Sequence, residues 1–214
     1  MLGDAKRLVI SRRAVVQLLG IGLGAALLEG CEGKTAWHGT DVTGTSPALA
    51  FTMSRAPDGK EVTAADYHGK VVMLYLGYTF CPDICPTTLA NVAEILNGLG
   101  TDAQQVAVLF VTVDPDRDTL PVLADYVGNF TPQTIGLRGT PDQLAALARR
   151  YRLAYSVTPA SKGHPYEVTH SSAIYIFDRS GAARLLVSSL GTSNPDLAGV
   201  TADLKRLIAE NHAA

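Results

Sequence analysis

Cysteine is scarce in this chain, which contains three among its 214 residues. Cys31 closes an N-terminal leader, so only Cys81 and Cys85 remain for the rest of the chain. Two cysteines cannot form the multi-disulfide framework that supports small secreted domains. The fold must therefore rest on a hydrophobic core, and the two thiols are free to serve a function.

The chain also has no excess of basic residues over acidic ones. The formal net charge is −2, and acidic and basic residues are mixed along the chain. Proteins that bind nucleic acid usually carry a basic stripe with interleaved aromatic side chains, and the sequence shows none. We therefore expect no nucleic-acid partner.

The N-terminal leader lacks an apolar run long enough to span a membrane. Its apolar run, residues 14–28, is about 15 residues long, whereas a spanning helix needs ~20. Basic residues precede this run at Lys6, Arg7, Arg12 and Arg13. A basic stretch followed by a short apolar run is typical of an export signal. Residues 1–31 are therefore predicted to be a targeting segment or membrane anchor outside the fold.

Two short motifs in the leader concern export and anchoring. Ser11-Arg12-Arg13 resembles a twin-arginine export signal, and Leu28-Glu29-Gly30-Cys31 resembles a lipoprotein cleavage box in which Cys31 is lipidated. Glu29 departs from the small or apolar residue usual at its position, so an ordinary signal or an uncleaved anchor stays an alternative. Each interpretation places the protein outside the cytoplasm of a bacterium, and the predicted location is the periplasmic side of the cytoplasmic membrane, with attachment by lipid or by an N-terminal anchor.

The rest of the chain has the length of a single domain. Residues 32–46 are rich in glycine and threonine and are predicted to form a flexible tether. Residues 47–214 are enough for one domain with a full core. An Asp58-Gly59 turn signal between two short extended segments predicts that a β-hairpin opens this domain.

Alternating strand and helix signals predict an α/β fold. Two continuous apolar runs, residues 71–76 and 106–113, are typical of strands buried on both faces. Residues 86–100 between them have helical apolar spacing, which predicts a parallel crossover. Two further apolar segments, at residues 173–177 and 184–187, predict an antiparallel hairpin. The result is a central mixed sheet flanked by helices, as in the thioredoxin-like fold.

Three helix starts are also indicated by capping residues. Asp118 and Thr119 are predicted to cap a helix that runs to Gly128, and Asn194-Pro195 is predicted to cap the last helix. Thr140-Pro141-Asp142-Gln143 has the pattern of a capping box with proline in the first turn.

The chemistry of the domain is concentrated in Cys81-Pro82-Asp83-Ile84-Cys85-Pro86, directly after the first central strand. If the second half begins a helix, the two thiols lie one turn apart, with roughly 5–6 Å between their Cβ atoms. This separation suits a metal clamp and is also tolerated by a disulfide. The start of a helix favours a thiolate at Cys85 through its dipole, which supports metal binding and redox reactivity alike.

His170 is the third candidate ligand. It stands in a loop before the strand that begins at Ala173, and this loop faces the thiols if that strand lies beside the first central strand. Two thiolates and one imidazole form a soft three-ligand set that favours Cu(I) and accommodates Cu(II), whereas structural zinc usually takes four ligands. We therefore expect one copper ion bound by Cys81, Cys85 and His170.

Two acidic residues near the thiols have open roles. Asp114 follows the second central strand and is predicted to support the ligands from outside or to contact a partner, without binding the metal itself. Its alternative is a turn or cap residue beside Pro115. Asp83, between the cysteines, either tunes the local charge or contacts a partner, or is a solvated loop acid.

Three ordered motifs, residues 77–86, 112–119 and 170–175, closely resemble the Sco (SenC/PrrC) family of copper-binding assembly factors for cytochrome c oxidase. The resemblance extends from about Phe51 to the C-terminus. It implies a membrane-tethered metallochaperone that binds copper through the two cysteines and His170 and helps to assemble the copper centre of oxidase subunit II. The implied partners are subunit II or another copper recipient, together with an upstream copper donor. The implied action is copper delivery, reduction of the recipient's cysteines, or both.

Other functions for the thiol pair remain alternatives. A general thiol-disulfide oxidoreductase of the thioredoxin type carries C-x-x-C and a cis-proline, whereas here the spacing is one residue longer and Thr169 and His170 occupy the proline's place. A peroxiredoxin-like peroxidase is third, because Tyr78 and Pro82 stand where that family has threonine or serine. A structural disulfide across so short a loop constrains the unfolded chain little. A chaperone needs no catalytic turnover, so enzyme activity is expected only as thiol-disulfide reduction.

Overall fold

The computed structural model describes residues 36–210. The predicted export signal, the lipoprotein box with Cys31 and the first part of the predicted tether lie outside these residues. Within them, no helix has both the length and the apolar character that crossing a membrane requires.

The described residues form ten strands and four α-helices. The strands are β1 (Thr40–Asp41), β2 (Thr52–Arg55), β3 (Glu61–Thr63), β4 (Val71–Gly77), β5 (Val106–Thr112), β6 (Thr134–Arg138), β7 (Tyr155–Thr158), β8 (Glu167–His170), β9 (Ile174–Phe177) and β10 (Ala183–Val187). The helices are α1 (Ile84–Leu99), α2 (Leu120–Gly128), α3 (Pro141–Tyr151) and α4 (Leu197–Ala209). Short 3-10 turns at Ala64–Tyr67 and Gly100–Gln105 complete the described secondary structure.

Eight strands build the central sheet in the order β1-β10-β9-β4-β5-β6-β2-β3. β4 and β5 lie at its centre, run parallel and are buried at every position, as their continuous apolar sequences predicted. β9 pairs antiparallel with β4, with Tyr75 opposite Ile174. The predicted neighbourhood of these two strands is therefore confirmed.

Several local predictions are confirmed as well. α1 ends at Gly100, whose φ of +61° is easily adopted by a residue without a side chain. Thr140 and Gln143 form the predicted capping box at the start of α3. The hairpin β2–β3 pairs antiparallel, and so does the hairpin β9–β10.

Two capping predictions differ from the structure. The side chain of Asp196 caps α4 by accepting a hydrogen bond from the backbone N–H of Gly199, so Asn194 and Pro195 lie before the cap. Thr119 occupies the cap position of α2, while the carboxylate of Asp118 turns inward toward the thiol loop. The cap of α4 is a local bond that starts the helix two residues later than predicted, whereas the partner of Asp118 is set by the tertiary contact with Thr79.

The predicted tether also differs from the structure beyond Ala36. β1 pairs with β10, and the buried carboxylate of Asp203 accepts hydrogen bonds from the backbone N–H groups of His38 and Gly39. The guanidinium of Arg206 lies 3.7 Å from the centre of the Trp37 ring. The compact domain therefore includes Trp37 and the residues after it, because tertiary contacts hold a segment whose glycine and threonine content favours a loop.

The hairpin β7–β8 was not predicted from the sequence. It forms a separate two-stranded sheet between α3 and β9, in which Tyr155 lies opposite His170. His170 is therefore the last residue of a strand, whereas the sequence predicted a loop. Each strand alternates between more buried and exposed positions, but with only four residues the alternation is too short to stand out in the sequence.

Candidate metal centre

The thiol loop connects the end of β4 to the start of α1. The backbone N–H of Cys81 donates to the carbonyl oxygen of Tyr78 at 3.3 Å, which closes a turn. The backbone N–H of Cys85 donates to the sulfur of Cys81 at 3.4 Å. Both cysteines are free and buried in this structure. The turn and the first turn of the helix thus hold the two sulfurs on the same side of the loop.

Gly77, the last residue of β4, makes room for the second thiol. A Cβ at this position would lie 2.9 Å from the sulfur of Cys85 and would also collide with the ring of Phe110. Real Cβ atoms do not approach other atoms so closely, so a larger residue would displace the sulfur or the ring. The absence of a side chain at Gly77 therefore positions Cys85 against the sheet.

His170 approaches the thiols from the end of β8. Its Nε2 atom lies 3.1 Å from the sulfur of Cys85, and its Nδ1 atom lies 3.0 Å from the carbonyl oxygen of Ser171. Because a carbonyl can only accept, we assign the ring proton to Nδ1. The lone pair of Nε2 then faces the thiols, which is the orientation that a metal-binding histidine needs.

The structure brings the three predicted ligands together. The sulfurs of Cys81 and Cys85 and a ring nitrogen of His170 all lie within 4.8 Å of one another. Among residues 36–210, this is the one group of three or more such side chains with that proximity. A soft donor set of two sulfurs and one nitrogen fits copper in either of its biological oxidation states.

Burial controls the protonation of these ligands. Cys85 is completely buried, and this burial raises the pKa of its thiol to about 12. The sequence predicted a thiolate favoured by the helix dipole, so burial outweighs the dipole at this position. Burial also lowers the pKa of His170, which keeps its imidazole neutral and available to a metal.

Asp114 lies outside the ligand group. Its fully buried carboxylate accepts a hydrogen bond of 2.8 Å from the hydroxyl of Tyr166 and forms an ion pair with Arg117. The guanidinium of Arg117 also lies over the rings of Tyr166 and Phe80, at 4.1 and 4.7 Å from their centres. Because Tyr166 directly precedes β8, Asp114 connects the end of β5 to the strand that carries His170. Because this carboxylate is buried, it contacts neighbouring side chains and is not accessible to a partner protein.

Asp118 is a supporting residue that sequence reasoning missed. Its completely buried carboxylate accepts hydrogen bonds from the backbone N–H of Thr79 at 3.0 Å, from the hydroxyl of Thr79 at 2.6 Å and from the hydroxyl of Thr112. These bonds fasten the thiol loop to the end of β5. The available signal was its position in a loop after a central strand, where the ends of β4 and β5 meet at one edge of the sheet.

Asp83 occupies the cap position of α1. Its side chain is exposed, and its backbone carbonyl accepts a hydrogen bond from the N–H of Thr87 at 3.1 Å. An acidic residue at this end of a helix complements the helix dipole. The exposure is compatible with both predicted roles, a solvated loop acid and a residue that contacts a partner.

A comparison with protein-family models shows which family contains this site. The model described as SCO1/SenC matches residues 48–209, which contain all three clustered side chains. The chain belongs to the SCO1/SenC family. This Sco chain is 34% identical over 177 residues to the mitochondrial SCO2 homolog of Mus musculus, a match that covers 80% of the chain and 69% of the mouse protein. It is 41% identical over 125 residues to the SCO2 homolog of Bos taurus, where the match covers 58% of the chain and 47% of the relative, about half its length.

Solved Sco structures share the fold. The structure of Bradyrhizobium japonicum ScoI with copper bound is 34% identical and superposes with a TM-score of 0.66 over 76% of this Sco chain and 99% of that one. The solution structure of apo Sco1 from Thermus thermophilus is 31% identical, with a TM-score of 0.70 over 82% of this chain and 99% of its own. The predicted thioredoxin-like fold of the Sco domain is thereby confirmed.

Proposed function

We propose that this protein is a copper chaperone that binds one copper ion through Cys81, Cys85 and His170. The observation that carries the proposal is the convergence of two sulfurs and a correctly oriented imidazole nitrogen within 4.8 Å. The copper-bound state of the related B. japonicum protein supports the choice of metal. The donor set supports it as well, because structural zinc normally requires a fourth ligand.

The residues around the ligands prepare the site for uptake and release. The neutral His170 presents Nε2 without first losing a proton, while each bound cysteine must give up its thiol proton to become a thiolate ligand. Asp118 holds the thiol loop, and Asp114 with Tyr166 holds the strand of His170. Copper can then pass to a recipient by stepwise exchange of these ligands for the recipient's cysteines and histidines, without catalytic turnover.

The recipient that we propose is the copper centre of cytochrome c oxidase subunit II or another copper-accepting protein, and an upstream donor would supply the ion. The three family motifs support this role. The basic and apolar leader supports work on the periplasmic side of a bacterial membrane, with attachment through a lipidated Cys31 or through the N-terminal segment.

Thiol-disulfide reduction is the second candidate function. Its specific support is that Cys81 and Cys85 lie about one helical turn apart at the start of α1. Such a pair can give two electrons to a recipient's disulfide by exchange. The recipient's cysteines are then reduced, and Cys81 and Cys85 become a disulfide. This activity is compatible with copper delivery to the same recipient.

Anaerobic Cu(I) competition titration of the reduced domain from Ala36 onward tests the proposal. We expect tight 1:1 binding that weakens at least about tenfold in His170→Ala, because one of three ligands is lost. His68→Ala is the matched control, since His68 is exposed and outside the ligand group. Absence of binding, or equal binding by His170→Ala, would contradict the chaperone proposal. Disulfide exchange retained by His170→Ala would then make thiol reduction the leading function.

A further inference from the structure

Two buried hydroxyl groups near Cys85 have no hydrogen-bond partner. Tyr75 and Thr88 are both completely buried, and neither the Tyr75 hydroxyl nor the Thr88 hydroxyl is paired within the described residues. An unpaired buried hydroxyl is unfavourable, and native proteins rarely keep one without a reason. Two such donors beside one proposed metal ligand are placed to serve a charged acceptor at this site.

The Tyr75 hydroxyl lies close to the sulfur of Cys85 and to Thr88. Thr88 lies on α1 three residues after Cys85 and therefore shares its face of the helix. Tyr75 lies on β4, and its ring meets the ring of His170 edge-on with 6.0 Å between the centres. The Tyr75 hydroxyl is within interaction range of both Cys85 and Thr88, although neither approach has the geometry of a hydrogen bond.

The sulfur changes its hydrogen-bonding character when a metal binds. A neutral thiol is a weak acceptor, and in the metal-free state its sulfur lies beside Nε2 of His170. A metal-bound thiolate carries negative charge, and hydrogen bonds to charged acceptors are about twice as strong as neutral ones. Metal binding therefore creates the acceptor that the two hydroxyls lack.

We propose that Tyr75 and Thr88 are positioning residues that donate hydrogen bonds to the Cys85 thiolate in the metal-loaded state and thereby favour that state over the metal-free one. The inference rests on the proposed function, because it requires copper on Cys85. It assigns these two residues a role that depends on metal and contributes nothing to the stability of the empty domain. Hydrogen bonds of this kind orient a ligand and tune the metal that it binds.

The test uses the full chain, purified in detergent and reduced, with Tyr75→Phe and Thr88→Val. Each change removes one hydroxyl and keeps the shape of the side chain. Tyr67→Phe is the matched control, because the Tyr67 hydroxyl is also buried and unpaired but its ring packs on Phe51, away from the thiols. Thr88→Ser is the rescue control, because it restores the hydroxyl.

Without metal, we expect Tyr75→Phe, Thr88→Val and Tyr67→Phe to unfold at or above the wild-type temperature, and Thr88→Ser slightly below it because it deletes a buried methyl group. In Tyr75→Phe and Thr88→Val, Cu(I) affinity should fall about tenfold and the rise of the unfolding temperature on copper loading should shrink. The sulfur-to-Cu(II) charge-transfer band should move to lower energy in both, because a thiolate that loses a hydrogen bond gives up its electrons more easily. Tyr67→Phe and Thr88→Ser should match the wild type in all three measurements.

Three results would overturn the inference in distinguishable ways. Wild-type affinity and an unshifted band in both Tyr75→Phe and Thr88→Val would refute the hydrogen bonds while leaving the copper site intact. Failure of the wild-type chain to bind copper would refute the proposed function, and the inference with it. A lower unfolding temperature of metal-free Tyr75→Phe, with no change in affinity, would show that the hydroxyl supports only the fold.

Discussion

The two cysteines of the centre differ in their access to solvent. Cys85 is completely buried with a pKa of about 12, whereas Cys81 is 9% exposed and follows Phe80, whose side chain projects into solvent. A thiolate reacts and a thiol does not. The pair is therefore chemically unequal although its two members lie one turn apart.

This inequality predicts the order of alkylation in the reduced, metal-free protein. Iodoacetamide should modify Cys81 first at neutral pH, and the rate at Cys85 should rise about tenfold per pH unit up to its raised pKa, because the thiolate fraction grows by that factor. Peptide mass mapping over a pH series measures both rates. Equal rates at the two cysteines, or a rate at Cys85 that levels off near pH 8, would contradict the effect of burial.

Gly77 leads to a second prediction at the scale of one residue. Gly77→Ala places a Cβ against the sulfur of Cys85 and the ring of Phe110, so we expect a loss of about 1–3 kcal/mol in unfolding free energy and weaker copper binding. Urea denaturation and Cu(I) titration measure the two effects. Gly128→Ala is the control, because its Cβ would meet no atom within 4 Å. Wild-type copper affinity in Gly77→Ala would show that the sulfur does not need this space.

At the scale of elements, the loop after β5 joins the two halves of the centre. Asp118 fastens the thiol loop through Thr79, and Asp114 fastens the hairpin β7–β8 through Tyr166. Among the described strands, β7 and β8 pair only with each other, so strand pairing does not connect this hairpin to the central sheet. The position of His170 relative to the thiols therefore depends on side-chain contacts.

The hydrogen bond of Tyr166 provides the corresponding prediction. Tyr166→Phe removes the donor to Asp114 and should weaken Cu(I) binding several-fold to about tenfold, because His170 is held less firmly. Thiol-disulfide exchange should stay at the wild-type rate, since the thiol loop is fastened separately. Tyr155→Phe, on the paired strand, is the control and should change neither. Loss of exchange activity together with copper binding would indicate general destabilisation instead.

The same elements show how far sequence reasoning reaches. β4, α1 and β5 were predicted because their apolar patterns are set by burial in the sheet or against it. The hairpin β7–β8 was missed because its strands have four residues each, too few for their alternation to stand out. The candidate ligands were found from their chemical type, whereas the space at Gly77 and the hydrogen bonds of Asp118 depend on how segments pack together, which a single sequence does not display.

At the scale of the whole molecule, residues 37–41 cover the outer side of β10 at one end of the strand order. Asp203 is 3% exposed, and its carboxylate is satisfied by the backbone of His38 and Gly39. β1 covers the edge of β10, which would otherwise present unpaired backbone groups to solvent.

Truncation tests this role of the N-terminal segment. A domain that begins at Pro47 should have a free energy of unfolding about 2–4 kcal/mol lower than one that begins at Ala36. The reason is that Asp203 loses its hydrogen-bond donors and β10 loses its pairing with β1. Urea denaturation of the two forms measures the difference. His38→Ala in the longer form is the control, since it keeps the backbone donor and removes only an exposed side-chain contact with Asp196. Equal stability of the two forms would restore the prediction of a tether to Ser46.

The direction of β1 has a consequence for how the molecule is held. β1 runs antiparallel to β10, β10 to β9, and β9 to β4, so the beginning of β1 lies at the same edge of the sheet as the end of β4 and its thiols. Three strand spacings, about 14 Å in all, separate β1 from β4, and the register places Thr40 level with Leu74, before the end of β4. The chain therefore enters the central sheet on the side of the domain that carries the thiols, and the backbone hydrogen bonds of the sheet set the spacing between the two.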